Sequence, residues 1–486
     1  MSTDKNVEAD DNGVLQQAQN ATDWDGPNDP DNPRNFSLRR RLATAFAVTF
    51  LSFVSTIAGS IYSPAHADIS RLFGVSDEVA ILPLSLYNFG MAFGPLVGAP
   101  LSETFGRRAV FLTTSPIFAL FILGSGFSQG AASLIACRFF AGVFASPALS
   151  NASATIVDHT AGKYRAVLLA FYYSIPFFGA VLGPLLGGFI VQTKGWRWTQ
   201  WTTLFFIITF YIPIIFTKES YKRTILRQRA KRLGLQGPPQ PKRSFLTTIK
   251  YFFMTIFLRP IHMLVTEPIV TIVCVYNGFL FGLMYTFVVA SPLVFQHYYG
   301  FGITGQSLSF VGLMIGTASA PCPLFIIDRY IYQPRLKLFR VEHPDEDDPF
   351  PPEHRLYPSR IASFIIPACL LVFAWTAHAE IHWAVPIAFQ GLAFTATVMV
   401  YSSMNLFMVD AYGPLYGASA AGAAMLSRYG LSAAFPLFAL KFYTALGVGW
   451  ATSILAFCTL VLAPMPWVFW RHGELLRSKT KYETST

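Results

Sequence analysis

Two arginines stand inside long apolar stretches of this chain, Arg138 in Cys137-Arg-Phe-Phe-Ala-Gly142 and Arg428 in Leu426-Ser-Arg-Tyr429. On insertion scales a cation within a bilayer span costs at least about 2.5–3.5 kcal/mol, so Arg138 should face a cavity or a partner, the alternative being an arginine that snorkels to the headgroups. Chemistry driven by protons further needs a group that alternates between charged and neutral forms. No Asp or Glu occupies the middle third of any apolar stretch, and the acids nearest one are Asp68, Glu267 and Asp410. His66 adds a group that titrates near neutral pH. Glu267 is the favoured carrier, because Pro268 follows it and the apolar run closes around it, conditions that raise a carboxyl pKa. The simpler alternative is a helix-start acid held by the macrodipole. Asp410 reads as the structural partner of a nearby arginine.

The elements that position these groups follow from composition. Of 486 residues, 53% are hydrophobic and 16% aromatic, and only 13% are charged, against roughly 25% in soluble domains. Mean hydropathy is +0.44. Such a chain cannot supply the charged surface of a soluble globule, and it reads as a polytopic, all-α membrane protein. A bilayer core needs about 20 apolar residues in a helix. Scanning at that length predicts twelve spans, near 42–65, 79–101, 109–127, 131–157, 165–191, 197–216, 265–289, 305–327, 359–377, 382–409, 415–438 and 446–470. The runs are continuous rather than alternating, which excludes an outer-membrane barrel. Prolines within them (Pro95, Pro116, Pro147, Pro184, Pro436) are tolerated where neighbouring helices satisfy the freed carbonyls.

The net charge of +10 is a topology signal. Only Arg71, Lys194, Arg197 and Lys441 fall on the predicted outer side, and Arg138 and Arg428 fall within spans; every other Lys and Arg is on the inner side. This bias puts both chain ends in the cytoplasm and removes the case for a nucleic-acid partner. The domain plan is a disordered cytosolic tail (1–41), a six-helix bundle (42–216), a central cytoplasmic loop (217–264), a second six-helix bundle (265–470) and a cytosolic tail (471–486). Within the central loop, Phe245, Ile249, Phe253 and Ile256 at helical spacing predict a helix along the inner headgroups. Two six-span halves around a midplane cavity are the organisation of many secondary transporters.

Three strings are more specific. Between spans 2 and 3 the chain reads Gly98-Ala-Pro-Leu-Ser-Glu103-Thr-Phe-Gly106-Arg107-Arg108, which resembles the Gly-x-Leu-x-Asp-x-x-Gly-Arg-Arg loop motif of the major facilitator superfamily. Arg138 and Gly142 resemble that superfamily's span-4 Arg-x-x-x-Gly motif, and the resemblance implies a part for Arg138 in proton coupling. In span 5, Gly179-Ala-Val-Leu-Gly183-Pro184-Leu-Leu-Gly187-Gly188 is similar at every fixed position to the antiporter motif of drug:proton antiporters. Glycines at four-residue spacing also make a smooth face for close helix packing in any bundle. The leader Asp23-Trp24-Asp25-Gly26-Pro27-Asn28-Asp29-Pro30 and the blocks around Tyr401, Asp410 to Tyr412, Arg428 and Phe435 to Phe438 look like fungal twelve-span drug:proton antiporters. The resemblance implies the major facilitator fold and an exporter of drugs, polyamines or secondary metabolites working against proton entry, with Arg138, Glu267, Asp68 and Arg428 in coupling or gating.

Pockets for small organic molecules are mostly apolar with a few placed polar groups. Tyr62, Tyr87, Asn88, Tyr276, Asn277, Tyr285, Gln390 and Asn405 are therefore the candidate cargo contacts, each equally able to be a packing residue. No cofactor is expected. The five cysteines all lie in apolar stretches without a metal-binding spacing, His378-Ala-Glu-Ile-His382 is not a zinc motif, and no phosphate loop for ATP occurs. An intramembrane enzyme would need paired catalytic groups at membrane depth, which are missing from the spans. The expected partners are lipid, protons and a small molecule; the chain is expected to be a monomer in the plasma membrane, with a vacuolar membrane as the alternative. A nutrient or polyamine facilitator or symporter is the rival function.

Overall fold

Long apolar runs form helices in lipid because no water is available to their backbone groups. The computed structural model describes residues 23–160, 163–234, 258–343 and 350–482. The expected interfacial helix at 245–256 and the Glu103 side chain lie outside what is described. Among the described residues the membrane part is a set of helical rods: α1 (Leu38–Ser60), α2 (Asp77–Ala92 continued by Gly94–Phe105), α3 (Arg107–Gly126), α4 (Ala131–His159), α5 (Lys163–Lys194), α6 (Arg197–Ile215), α7 (Pro268–Tyr299), α8 (Ile303–Leu308, Phe310–Ser319 and Pro321–Ile327) and α9 (Tyr357–Thr376). A continuous helical stretch, Ala384–Leu462, is broken where Gly413 (φ 56°) and Gly447 (φ 72°) leave helical geometry. Those breaks divide it into α10 (384–412), α11 (414–446) and α12 (448–462), completing twelve rods in two sets of six. Both breaks use glycine because other residues are strained at positive φ.

The rods are held by close backbone approach and by hydroxyls. A Cβ on Gly142 would lie 2.1 Å from the Tyr87 carbonyl oxygen and one on Gly90 2.3 Å from that of Phe139, so α2 and α4 touch along their backbones. Gly316 and Gly391 do the same for α8 and α10, at 2.0 Å. Around Pro147, Ser52 and Ser55 of α1 donate to the carbonyls of Ala148 (3.1 Å) and Ala145 (3.0 Å). This is the expected packing grammar in lipid: small residues let backbones meet, and hydroxyls bridge helices.

The leader differs from expectation. From Asp23 on it is a folded cap on the face where α1 starts and the helix Met465–Ser478 lies (the termini face), and α1 already begins at Leu38. Asp29 is buried and accepts hydrogen bonds from the backbone of Asp25 and Asp31, each at 2.8 Å, while Arg229 of the helix Lys222–Leu233 reaches it at 2.6 Å and Asp31 at 2.9 Å. Asn35 Nδ2 donates to the Pro27 and Asp29 carbonyls. The Asp, Asn and Pro that read as a disordered tail are turn formers whose side chains satisfy the local backbone.

Burial opposes ionisation of Asp29, but Arg229 and the two backbone donors outweigh it and hold the carboxyl below its ordinary value. Because that pKa is lowered on folding, the contribution is fully present above about pH 4 and fades as the pH falls through the lowered value. Arg229→Ala removes the guanidinium that gathers these acids. Tryptic cleavage after the exposed Arg34 in the intact chain at neutral pH is expected to accelerate about tenfold, the size of one charge-assisted hydrogen bond. An unchanged cleavage rate would mean that the turn network holds the cap unaided.

Candidate functional site

Arg138 is fully buried, and its role begins with the end of a helix. The last carbonyls of a helix have no partner within it. α1 ends at Ser60, and Arg138 of α4 donates from Nη1 to Ala58 O (2.8 Å) and from Nη2 to Gly59 O (3.0 Å). It thereby caps the negative end of the α1 dipole. Its guanidinium also lies over the Tyr87 ring at 4.7 Å and near that of Tyr62 at 5.5 Å. Those two tyrosines are fixed in turn, Tyr62 by donating to Ala80 O (2.8 Å) and Tyr87 by donating to Ser55 O (2.7 Å).

Arg428, on α11, is the counterpart in the other half. It is 3% exposed and donates to the hydroxyls of Tyr401 and, at 2.9 Å, Tyr429. Its guanidinium stands 4.4 Å from the Tyr429 ring centre and 4.9 Å from that of Phe281. Aromatic contacts then cross between the halves. Phe177 of α5 meets Phe281 of α7 at 5.1 Å and Tyr401 of α10 at 4.9 Å.

The eight candidate cargo residues sit where the rods meet. Tyr62, Tyr87, Asn88, Tyr276, Asn277, Tyr285 and Gln390 are at most 1% exposed and Asn405 6%. Asn88 of α2 interacts with Tyr285 of α7 across the seam between halves. Among the described residues both amide atoms of Asn277, the Tyr276 hydroxyl and Gln390 Oε1 lack a hydrogen-bond partner, whereas Gln390 Nε2 donates to Ser291 (2.8 Å) and Asn405 Nδ2 to Tyr401 O (2.8 Å). In this conformation the candidates close on one another rather than lining an open vestibule. A groove of about 420 Å³ between α8 and α10 is lined by Gly312, Gly316, Trp383 and Gly391 and contains none of them.

On the opposite face, where α1 ends and α2 starts (the far face), the halves are latched. Ser63 donates to Val288 O at 3.2 Å, Thr304 pairs with Gln192, and Lys441 of α11 meets Glu78 of α2 at 2.8 Å. Hydrogen bonding to Lys441, then to the backbone at the start of α2, holds the Glu78 carboxyl down to about 2, so the pair persists through neutral pH and is lost only as acid titrates through that value. Both side chains are solvent-exposed, and exposed pairs contribute little. Glu78→Gln is accordingly expected to change flux less than about twofold, and a larger loss would make this pair part of the gate. Asp68, expected in coupling, is in a surface pair with Arg71 at 2.9 Å, and His66 Nδ1 lies 2.8 Å from Ser63 O.

On the termini face, the motif between spans 2 and 3 organises one half. Gly106 turns the chain at φ 101°, and a Cβ there would meet the Glu219 carboxylate at 2.3 Å. That space is reserved: Glu219 accepts the first backbone N–H groups of α3, those of Arg107 (2.8 Å) and Arg108 (3.2 Å), a carboxylate on the positive end of a helix. Arg107 reaches Asp158 of α4 at 3.5 Å and also Ser102, and Arg108 donates to Ile215 O at 2.9 Å, closing α6 onto α3. A Cβ on Gly98 would crowd Pro147 at 2.9 Å. Sequence reasoning missed Glu219 and Asp158; the one available signal was an acid at the end of spans 4 and 6 opposite a pair of arginines. In the other half, Asp410 is paired with Arg355 at 2.8 Å. Glu267 is the residue before α7, buried, accepting from the Tyr412 hydroxyl (2.8 Å) and the Lys481 backbone N–H (3.0 Å).

The span-5 string has two targets. Cβ atoms on Gly179, Gly183 and Gly187 would strike Thr56, Ser60 and Ile61 at the end of α1, at 2.2, 2.0 and 2.3 Å. One on Gly188 would strike Ser307 of α8, in the other half, at 1.6 Å. Pro184 lies within α5 amid this face.

Two halves of six rods, an arginine capping a broken first helix and a glycine face on that same break invite comparison with known proteins. The chain is 34% identical to "Polyamine transporter 4" of Saccharomyces cerevisiae, over 95% of this chain and 73% of that protein. It is 34% identical to "MFS-type transporter traF" of Penicillium crustosum (96% and 94%) and 36% identical to "Efflux pump FUB11" of Gibberella moniliformis (94% and 76%). Its fold matches the solved proton:xylose symporter XylE with a TM-score of 0.63 at 15% identity, covering 90% of this chain and 96% of that one. The model of the Major Facilitator Superfamily matches residues 48–436. A multi-pass membrane transporter rather than an enzyme, the chain belongs to the Major Facilitator Superfamily.

Proposed function

We propose that the chain exports small amphipathic organic compounds, secondary metabolites or xenobiotics, by alternating access coupled to proton entry. The observation that carries this reading is the buried seam itself: Asn88 of one half meets Tyr285 of the other, and buried beside the second half's rods Asn277, Tyr276 and Gln390 carry polar atoms without a hydrogen-bond partner among the described residues. Orphaned polar atoms in a buried seam favour a ligand that supplies their partners. The relatives named as efflux pumps support the direction, and the Lys and Arg bias supports both ends being cytoplasmic; residence in the plasma membrane as a monomer is part of the same proposal. Arg138 and Arg428 hold the coupling region of each half, with Glu267 as a carboxyl whose surroundings close over it.

The test is flux into inside-out proteoliposomes holding the purified chain, with and without an imposed proton gradient. Accumulation that follows the gradient is the expected result, and accumulation that ignores it would remove the antiport step. A polyamine carrier is the second reading, favoured by the yeast relative's name. Labelled spermidine moving at the rate of the amphipathic probes would establish it.

A further inference from the structure

We infer that the central site selects cargo carrying a negative charge, an amphipathic aromatic or aliphatic carboxylate. This rests on the export reading and names the substrate class of the same site. Each half contributes one buried guanidinium, Arg138 and Arg428, and among the described residues neither is paired with a carboxylate. Arg138 is bound to two carbonyls and Arg428 to two neutral hydroxyls. In both, Nε has no hydrogen-bond partner among the described residues.

The two charges act on one place. Tyr285 lies within electrostatic reach of both guanidiniums, and Tyr87, beneath Arg138, is within reach of Tyr429, beneath Arg428. A seam with two positive charges and, among the described residues, no carboxylate paired with either repels a cation and attracts an anion, and the effect is strong where water is excluded. A carboxylate suits the vacancy in hydrogen bonding as well: it is acceptor-only, and it would take the free Arg428 Nε–H in a charge-assisted bond while its apolar part stacks among Phe177, Phe281 and Tyr429. A polyamine would bring charges of the wrong sign to two guanidiniums that no carboxylate among the described residues neutralises.

Three probes of one ring system decide the matter: 1-naphthylacetate, 1-naphthylacetamide and 1-naphthylethylamine, as anion, neutral and cation. Equilibrium binding to the purified full chain in detergent at neutral pH should rank the acetate about tenfold or more above the amide, and the amine below both. Arg428→Gln should bring the acetate-to-amide ratio toward one, while Arg428→Lys keeps a preference for the anion. An amine bound as tightly as the acetate, no acetate binding at all, or a ratio unmoved by Arg428→Gln overturns the inference; the ranking on the unaltered chain stands even if the glutamine variant fails to fold. Flux of the acetate separates the two readings. An anion that binds with this preference but does not cross proteoliposomes would sink the export reading and leave the charge selection intact.

Discussion

Arg138→Ala is expected to lower the initial transport rate about a hundredfold or more, as two charge-assisted hydrogen bonds at roughly 1.5–3 kcal/mol each would imply. The arginine joins α4 to the Ala58 and Gly59 carbonyls in the last turn of α1, and alanine removes that donor from both at the point where α1 breaks off before Tyr62. Insertion points the other way. Removing a mid-membrane cation relieves a penalty, so the variant should reach the membrane in at least ordinary amounts. The signature is thus a protein present and inactive. Arg138→Lys sharpens the case, because an ammonium keeps the charge but lacks the planar fork that spans two acceptors. It should recover little of the lost rate. Proteoliposome flux at matched protein content measures both variants, and an alanine variant within about twofold of the parent rate would reduce Arg138 to packing.

Apolar counting located the rods because a bilayer leaves a helix few alternatives, but it placed ends poorly where helices outrun the membrane. α7 continues to Tyr299, past the expected 289, since Gln296, His297 and two tyrosines extend the helix without being apolar. The last span, expected to 470, ends at Leu462 and resumes as Met465–Ser478, around Pro464 and Pro466. The leader's fold was hidden for another reason: its acids are organised by Arg229, from a helix far along the chain.

The site shows the same division. Arg138 and Arg428 were legible as lone charges in oil. Their partners were not, because backbone carbonyls and ordinary tyrosines carry no pattern. Glu219 stands among lysines and arginines at the start of the central loop with no pattern of its own, and only the fold brings it onto the start of α3. The Arg107–Asp158 contact likewise depends on α2 and α4 packing through Gly90 and Gly142.

Gly188→Val is expected to unlatch the far face. The other glycines of its string pack on α1 within one half, but a Cβ at Gly188 would lie 1.6 Å from Ser307 Oγ and 2.8 Å from its Cβ, across the seam in α8. Overpacking of this kind costs about 1–3 kcal/mol. Here the penalty falls only on the conformation in which α5 and α8 touch, so the equilibrium shifts by about tenfold or more toward the form open on that face. Gly183→Val is the contrast, because its obstacle is Ser60 and the Ile61 backbone in the same half. It should weaken the bundle in every conformation. A bis-thiol-reactive cross-linker with a spacer as long as the two lost side chains, joining Glu78→Cys to Lys441→Cys, reports far-face closure directly, because the native side chains span that gap and meet at 2.8 Å. Cross-linking should slow about fivefold or more in Gly188→Val and stay near the parent rate in Gly183→Val, with flux reduced in both. Equal cross-linking in all three backgrounds would place the Gly188–Ser307 contact outside the gate, since a steric block that bears on one state alone cannot leave the population of that state unchanged.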